Sequence, residues 1–311
     1  MAVVTPLLES PELSARVGGR LLFKAESLQR TGSYKFRGAY NRLARLSEDA
    51  RRRGIVAFSS GNFGQAVACA AQLLGIPATI IVPRDAPAVK IESCRGYGAE
   101  LLFYDRANTA QREEMARELS VARHLTIVPP GDDPLVIAGY GTSGMEVLDQ
   151  CADPIDALLC PCGGGGLSAG IAVAFGQRSP RTRIFIVEPA GFDDTTRSLA
   201  MGERVGIEPG HTSICDAIQT PMPAELPFRT LRERIEKGLV VKDDDTRRAM
   251  AMAFAHLKLV LEPAGAIALA AAVTGQYDCR GQTVAIICSG ANVDPAVFSD
   301  ALRSNRPHPQ A

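Results

Sequence analysis

Short, uninterrupted apolar runs alternate along this chain with stretches of helical period. The runs at 20–26, 55–59, 78–82, 100–104, 125–128, 155–160, 183–187 and 283–288 predict strands, most of them continuous enough to be buried on both faces. Between them the pattern changes to one apolar face per turn at 34–46, 65–74, 88–97, 108–119, 135–150 and 167–175, and these predict helices. Later helices are predicted at 229–237 and 243–259, and Glu262-Pro263-Ala264-Gly265 opens an alanine-rich one; 202–227, rich in Pro and Gly, is not readable as either type. Strand and helix in alternation at this spacing mean βαβ units and a parallel sheet, hence an α/β fold.

Three polar clusters interrupt this pattern where a strand gives way to a helix. The first is Gly163-Gly164-Gly165-Gly166-Leu167, whose glycines free the backbone to wrap an anion with N–H groups at a helix start. A phosphate suits it. The second is Ser59-Ser60-Gly61-Asn62-Phe63-Gly64, a cradle of hydroxyls, amide and backbone suited to a carboxylate, and equally an N-capping turn. The third, Thr31-Gly32-Ser33-Tyr34-Lys35, sets a lysine at a loop-to-helix junction. Taken alone, Gly164-x-Gly166-x-x-Ala169 with Glu188 at the end of the next strand matches a dinucleotide fingerprint and its ribose-binding acid. Its mid-chain position and the two other clusters weigh against an NAD oxidoreductase, and no Gly-Lys-Ser/Thr follows to make a P-loop.

In order, Thr31 to Ala39, Ser59 to Gln65, Gly163 to Gly166 and Ser289-Gly290-Ala291-Asn292-Val293-Asp294 resemble the fold-type II pyridoxal-phosphate enzymes, and among them the serine/threonine dehydratases and serine racemase. The likeness runs from Thr5-Pro6-Leu7 to Asp294. It implies a two-lobed, three-layer α/β fold of the tryptophan synthase β type with parallel-rich sheets: a small lobe at 54–140 and a large lobe from 1–53 and 141–311. The implied cofactor is pyridoxal 5'-phosphate. Lys35 would form the Schiff base and take the Cα proton. Tyr34 would lie against the pyridine ring, Gly163, Gly164, Gly165, Gly166 and the Leu167 amide would hold the phosphate, and Ser289 would face the pyridine nitrogen. Ser59, Ser60, Gly61 and Asn62 match the substrate-carboxylate loop, with Asn62 also reaching the cofactor oxygen and Ser60 matching the second acid–base residue of the racemases.

Glu188, the Phe192 carbonyl and Asp194 match the divalent-cation site of metal-responsive members, where oxygen ligands suit Mg²⁺ or Ca²⁺. A capping acidic turn accounts for the same residues. Three positions depart from the pattern: Phe63 stands where histidine is frequent, Tyr140 where glutamine is common, and Ala217 where glycine is common. Phe63 and Tyr140 are expected to face the substrate, and the bulk they add leaves the β-hydroxy amino acid open among threonine, serine, 3-hydroxyaspartate and aryl-serines. The resemblance thus implies a dehydratase releasing a 2-oxo acid and ammonia, with serine racemase as the nearest alternative and an amino-acid-binding sensor as the non-enzymatic one.

Composition narrows the partners. The 311 residues carry 34 basic and 34 acidic side chains, so no net charge draws the chain to nucleic acid or an anionic membrane. No apolar run reaches the ~18 residues of a spanning helix, and the first ten residues lack signal-peptide character. Eight scattered cysteines, mostly in apolar segments, read as buried thiols of a reducing compartment. A cytoplasmic homodimer acting on a small-molecule substrate is expected.

Overall fold

A computed structural model describes residues 1–59, 61–86, 88–105 and 109–304. Ten strands lie among the described residues: β1 (Leu7–Glu9), β2 (Arg20–Lys24), β3 (Ile55–Phe58), β4 (Ala78–Pro83), β5 (Glu100–Tyr104), β6 (Thr126–Ile127), β7 (Ala157–Pro161), β8 (Arg183–Pro189), β9 (Lys237–Val241) and β10 (Thr283–Ile287). The chain forms two compact units, one of Met1–Val3 with Gln29–Tyr140 and one of Val4–Leu28 with Gly141–Ala311. Residues 29–53 therefore group with 54–140, because the helix Lys35–Leu43 packs on the helix Asn62–Leu74.

In the first unit the strands are all parallel in the order β5-β4-β3-β6. The two inner strands supply Ile55, Val56, Ala57, Ile80, Ile81 and Val82, all buried, which is why their sequences run apolar without alternation. Val56, Ile81, Tyr104, Ala116 and Leu125 form a core against the helix Thr109–Arg123.

In the second unit the order is β1-β2-β10-β7-β8-β9, parallel except for the short edge strand β1. The alanine-rich helix Pro263–Val273 is buried along its length against β7, β8, β9 and β10, and its small side chains let it lie close to the sheet. Both sheets are parallel-rich and helix-connected, the class read from the alternation.

The reading misassigned one stretch. Where 229–237 predicted a helix, the helix is Glu225–Leu231 and the chain continues into strand β9. The charged run Arg232-Glu233-Arg234 imitates an exposed helical face, whereas the β-branched Val240-Val241 pair finds a parallel partner in β8. All eight cysteines are free thiols, seven of them buried. Among the described residues no helix is long and apolar enough to cross a membrane.

Candidate active site

The first unit brings together the lysine and the carboxylate cradle's surroundings. Ahead of Lys35 the chain passes through Thr31 (φ 59°) and Gly32 (φ 69°), two consecutive left-handed residues. For β-branched Thr31 this carries strain of about 1–3 kcal/mol. The turn releases Ser33, fully buried, and Tyr34, after which Lys35 begins the helix Lys35–Leu43. Its ammonium nitrogen lies 4.9 Å from the centre of the Tyr34 ring and 5.5 Å from that of Tyr140.

Tyr140 arrives there because two helices touch backbone to backbone. A Cβ on Gly139 would stand 2.5 Å from the Arg37 carbonyl oxygen and 2.7 Å from Gly38 Cα. Asn41 Nδ2 donates to the Leu135 carbonyl (2.6 Å) and Arg42 Nε pairs with Asp133 (2.8 Å), closing the same contact on its far side.

At the carboxyl end of β3, the Ser59 N–H donates to the Ile81 carbonyl (3.0 Å), and the Gly61 N–H donates to Ser59 Oγ (3.1 Å). Gly61 precedes the 13-residue helix Asn62–Leu74 without a side-chain cap, a helix start of the kind that can receive an anion. Asn62 is 5% and Phe63 2% exposed. Ser60 lies outside the described residues.

One residue here was not singled out from the sequence. Arg112, on the helix Thr109–Arg123, holds its guanidinium 5.5 Å from the centre of the Phe58 ring, at the end of the strand that leads into Ser59. Its Nε is buried and has no hydrogen-bond partner among the described residues. Nothing in the local sequence marks it, since it sits in a charge-rich helical stretch; only the packing of that helix on β3 does.

In the second unit the glycine tetrad follows β7 and opens the helix Gly166–Arg178. Gly165 has φ 89° and a Cβ there would stand 2.9 Å from Pro227; a Cβ on Gly163 would stand 3.0 Å from Ile218 Cα. The outer carbonyls are tied down: Gly163 O accepts from Thr195 Oγ1 (3.3 Å) and Gly164 O from the Ala224 N–H (3.2 Å). The first intrahelical bond is Ala169 N–H to Gly165 O (2.8 Å), which leaves the Gly166, Leu167 and Ser168 N–H groups without one. Ser289, two residues beyond β10, is buried, its hydroxyl donating to the Ala264 carbonyl (3.4 Å).

The residues present fit pyridoxal phosphate. Thr220 Oγ1, buried and without a partner among the described residues, belongs to the threonine that flanks the open side of Gly164, where Thr220 Cγ2 would be 3.8 Å from an added Cβ. Ser33 Oγ, two residues ahead of Lys35, is likewise buried without a partner among the described residues. An amine, a glycine-lined run of amides and partnerless hydroxyls are the donors that an aldehyde-bearing phosphate ester calls for.

The acidic segment does two things. Glu188 is fully buried and accepts from the Thr195 N–H (3.1 Å), the Thr196 N–H (2.7 Å) and Thr196 Oγ1 (2.6 Å), so it caps the helix Asp194–Met201. Those bonds occupy its carboxylate and remove it from the role of a ribose-binding acid. Asp194 is also fully buried, yet neither of its carboxylate oxygens has a partner among the described residues. Burial pushes Glu188 up to about 7, against the pull of its hydrogen bonds, while burial and then the charge of Glu188 push Asp194 up to about 8. Among the described residues no group of three or more His, Cys, Asp or Glu side chains is placed to hold a metal.

A family profile described as pyridoxal-phosphate dependent enzyme matches residues 2–290. The chain is 40% identical over 305 residues to a Saccharomyces cerevisiae protein named L-threo-3-hydroxyaspartate ammonia-lyase, covering 98% of this chain and 93% of that one. It is 42% identical over 299 residues to a Pseudomonas protein of the same name, covering 96% and 93%. Among solved structures it superposes on maize serine racemase with a TM-score of 0.91 at 34% identity, covering 97% of this chain and 92% of that one. With the lysine at a helix start and the Ser59 loop and the glycine tetrad after strands as described, the chain belongs to the pyridoxal-phosphate-dependent enzymes of fold type II.

Proposed function

We propose that this protein is a pyridoxal-phosphate-dependent ammonia-lyase that removes water and then ammonia from a β-hydroxy amino acid, leaving the 2-oxo acid. The observation that carries this reading is the placement of Lys35 at a helix start in the same compact unit as the Ser59–Asn62 loop, in a chain whose relatives carry ammonia-lyase names. Lys35, the glycine tetrad and Ser289 are the residues that would hold the cofactor, which would supply an electron sink for the Cα carbanion. Lys35 takes the Cα proton, and Ser59, Gly61 and Asn62, with Ser60, orient the carboxylate. Ser289 would present a neutral hydroxyl to the ring nitrogen rather than an acid, which would keep the sink weak and favour direct departure of the β-hydroxyl as water. The released amino-acrylate tautomerises and hydrolyses to the oxo acid and ammonium, regaining the water lost.

The substrate class supported best is a β-hydroxy amino acid with a second carboxylate. Arg112 provides the cation for it: a guanidinium fixed over Phe58 with a buried, partnerless Nε offers charge-assisted hydrogen bonds to a β-carboxylate. The Glu188–Phe192–Asp194 segment supports a divalent-cation site: Asp194 is fully buried with neither carboxylate oxygen hydrogen-bonded among the described residues, and a bound cation would offset its desolvation. The Glu188 cap supplies the second carboxylate and the Phe192 carbonyl the third ligand. A cytoplasmic homodimer completes the reading.

A panel of L-threonine, L-serine and threo-3-hydroxyaspartate, assayed for 2-oxo acid with chiral analysis of recovered substrate, tests it. Oxo acid from threo-3-hydroxyaspartate without D-isomer is the expected result. Inversion of recovered serine as the main outcome makes the protein a serine racemase, and no reaction of cofactor-loaded protein with any of the three overturns the lyase assignment.

A further inference from the structure

Tyr140 is one of the largest fully buried side chains of the protein, and it is not there to fill space alone. Its hydroxyl donates to the Pro130 carbonyl (2.8 Å), and burial pushes the phenol well above its ordinary value, so this proton stays in place as a donor. Full burial and the close approach of Gly38 to its edge hold the ring in place, and the hydroxyl bond adds to this. The ring meets Tyr34 edge on, with centroids 4.8 Å apart and planes at 69°, and the two together flank the Lys35 ammonium at 4.9 and 5.5 Å. Gly38 makes room for it: a Cβ at this position of the lysine's own helix would stand 2.4 Å from Tyr140 Cε1.

We propose that Tyr140 is a positioning residue for Lys35: its anchored ring confines the long lysine side chain between two aromatic surfaces and so sets where Nζ is delivered. The inference rests on Lys35 being the residue that holds the cofactor. A lysine carries several rotatable bonds, and its ammonium is attracted to the faces of tyrosine rings. Two such surfaces hold Nζ in one region before the aldehyde arrives and again when Lys35, released by the substrate, must stand over the Cα proton. The ring does this work, and close packing holds it with or without the hydroxyl bond. In this role Tyr140 acts through Lys35.

The test uses the full chain with Tyr140→Met, which keeps the volume without a ring, and Tyr140→Phe, which keeps the ring without the anchor; both swaps are mild enough for folding. Cofactor-free protein is mixed with pyridoxal 5'-phosphate and growth of the imine absorbance band is followed, then kcat and KM are measured. Tyr140→Met is expected to slow imine formation about tenfold and to lower kcat by a similar factor with KM changed less than about twofold, while Tyr140→Phe stays within about threefold of the parent in both. Imine formation as fast in Tyr140→Met as in the parent overturns the proposal, and so does equal damage from Tyr140→Phe. Borohydride trapping followed by peptide mapping is run on the parent: cofactor trapped elsewhere than Lys35 sinks the functional reading itself, whereas trapping at Lys35 with an unaffected Tyr140→Met variant sinks only the role of Tyr140.

Discussion

Gly265 and Gly290 meet backbone to backbone: a Cβ on Gly265 would stand 2.2 Å from the Gly290 carbonyl oxygen and 2.9 Å from its nitrogen. The contact is sealed by the Glu262 N–H donating to that same carbonyl (3.0 Å). Ser289 is the residue just before Gly290, so the start of the helix Pro263–Val273 sets the position of the Ser289 hydroxyl, the group proposed for the cofactor nitrogen.

Gly265→Ala is therefore expected to push the Ser289–Gly290 segment away and weaken cofactor binding about tenfold or more, since no rotamer relieves a clash with backbone. Equilibrium dialysis against pyridoxal 5'-phosphate measures it. Unchanged affinity in a folded Gly265→Ala protein would show that Ser289 is positioned by β10 alone.

Arg112→Leu separates the substrate classes. A guanidinium that binds a β-carboxylate contributes on the order of 2 kcal/mol through charge-assisted hydrogen bonds, so kcat/KM for threo-3-hydroxyaspartate should fall about thirtyfold or more. Turnover of L-serine, which has no such group, should change by less than about threefold. A parallel loss on both substrates would instead assign Arg112 to the packing of the helix Thr109–Arg123 on β3.

Mg²⁺ or Ca²⁺ is expected to raise the melting temperature of the parent and to have no effect on Asp194→Asn. At a hundredfold excess over Kd the ion contributes about 2.7 kcal/mol. For a chain of this size that is a shift of several degrees, on the order of 5 °C. In the absence of either ion, Asp194→Asn should melt no lower than the parent, because it replaces a buried carboxyl, pushed up to about 8 by burial and then by Glu188, with a neutral group of the same shape. Equal stabilisation of parent and variant by the ion would place the binding elsewhere.

Much of this arrangement is legible in the sequence because it resides in backbone. Glycines at 163–166, Gly61 and the Thr31–Gly32 turn have few uses except to bend or open the chain, and they fall where apolar runs stop. What the sequence hides is what long-range packing decides. Arg112 is one arginine among several in a polar helix, and only its position over Phe58 distinguishes it. Glu188 reads equally well as a ribose acid, a metal ligand or a cap, and only the packing that brings the Thr195 and Thr196 amides to it reveals the cap. Strand β9 is short and follows a charged segment, and its identity depends on β8 lying alongside.

Lys24 supplies the sharpest stability test. It ends β2, fully buried, and its ammonium donates to Glu146 Oε2 (2.6 Å), the Thr5 carbonyl (2.7 Å) and Gln150 Oε1 (3.0 Å). Thr5 in turn donates its hydroxyl to the buried Glu26 (2.6 Å), so one cluster ties the start of the chain, β2 and the end of the helix Pro134–Gln150 together within the second unit. A lysine cannot be brought out of water at this depth without its counter-ion. Glu146→Gln removes the charge while keeping the shape, and unfolding in urea should show a loss of about 3 kcal/mol, the usual cost of stranding one member of a buried pair. Replacing both members by apolar residues, Lys24→Met with Glu146→Leu, should recover most of that loss, because the desolvation of both charges disappears along with their attraction. The two outcomes together separate the cost of an isolated buried charge from any net worth of the pair; a double variant as unstable as Glu146→Gln would mean that the ion pair itself, through the contacts to Thr5 and Gln150, contributes net stability.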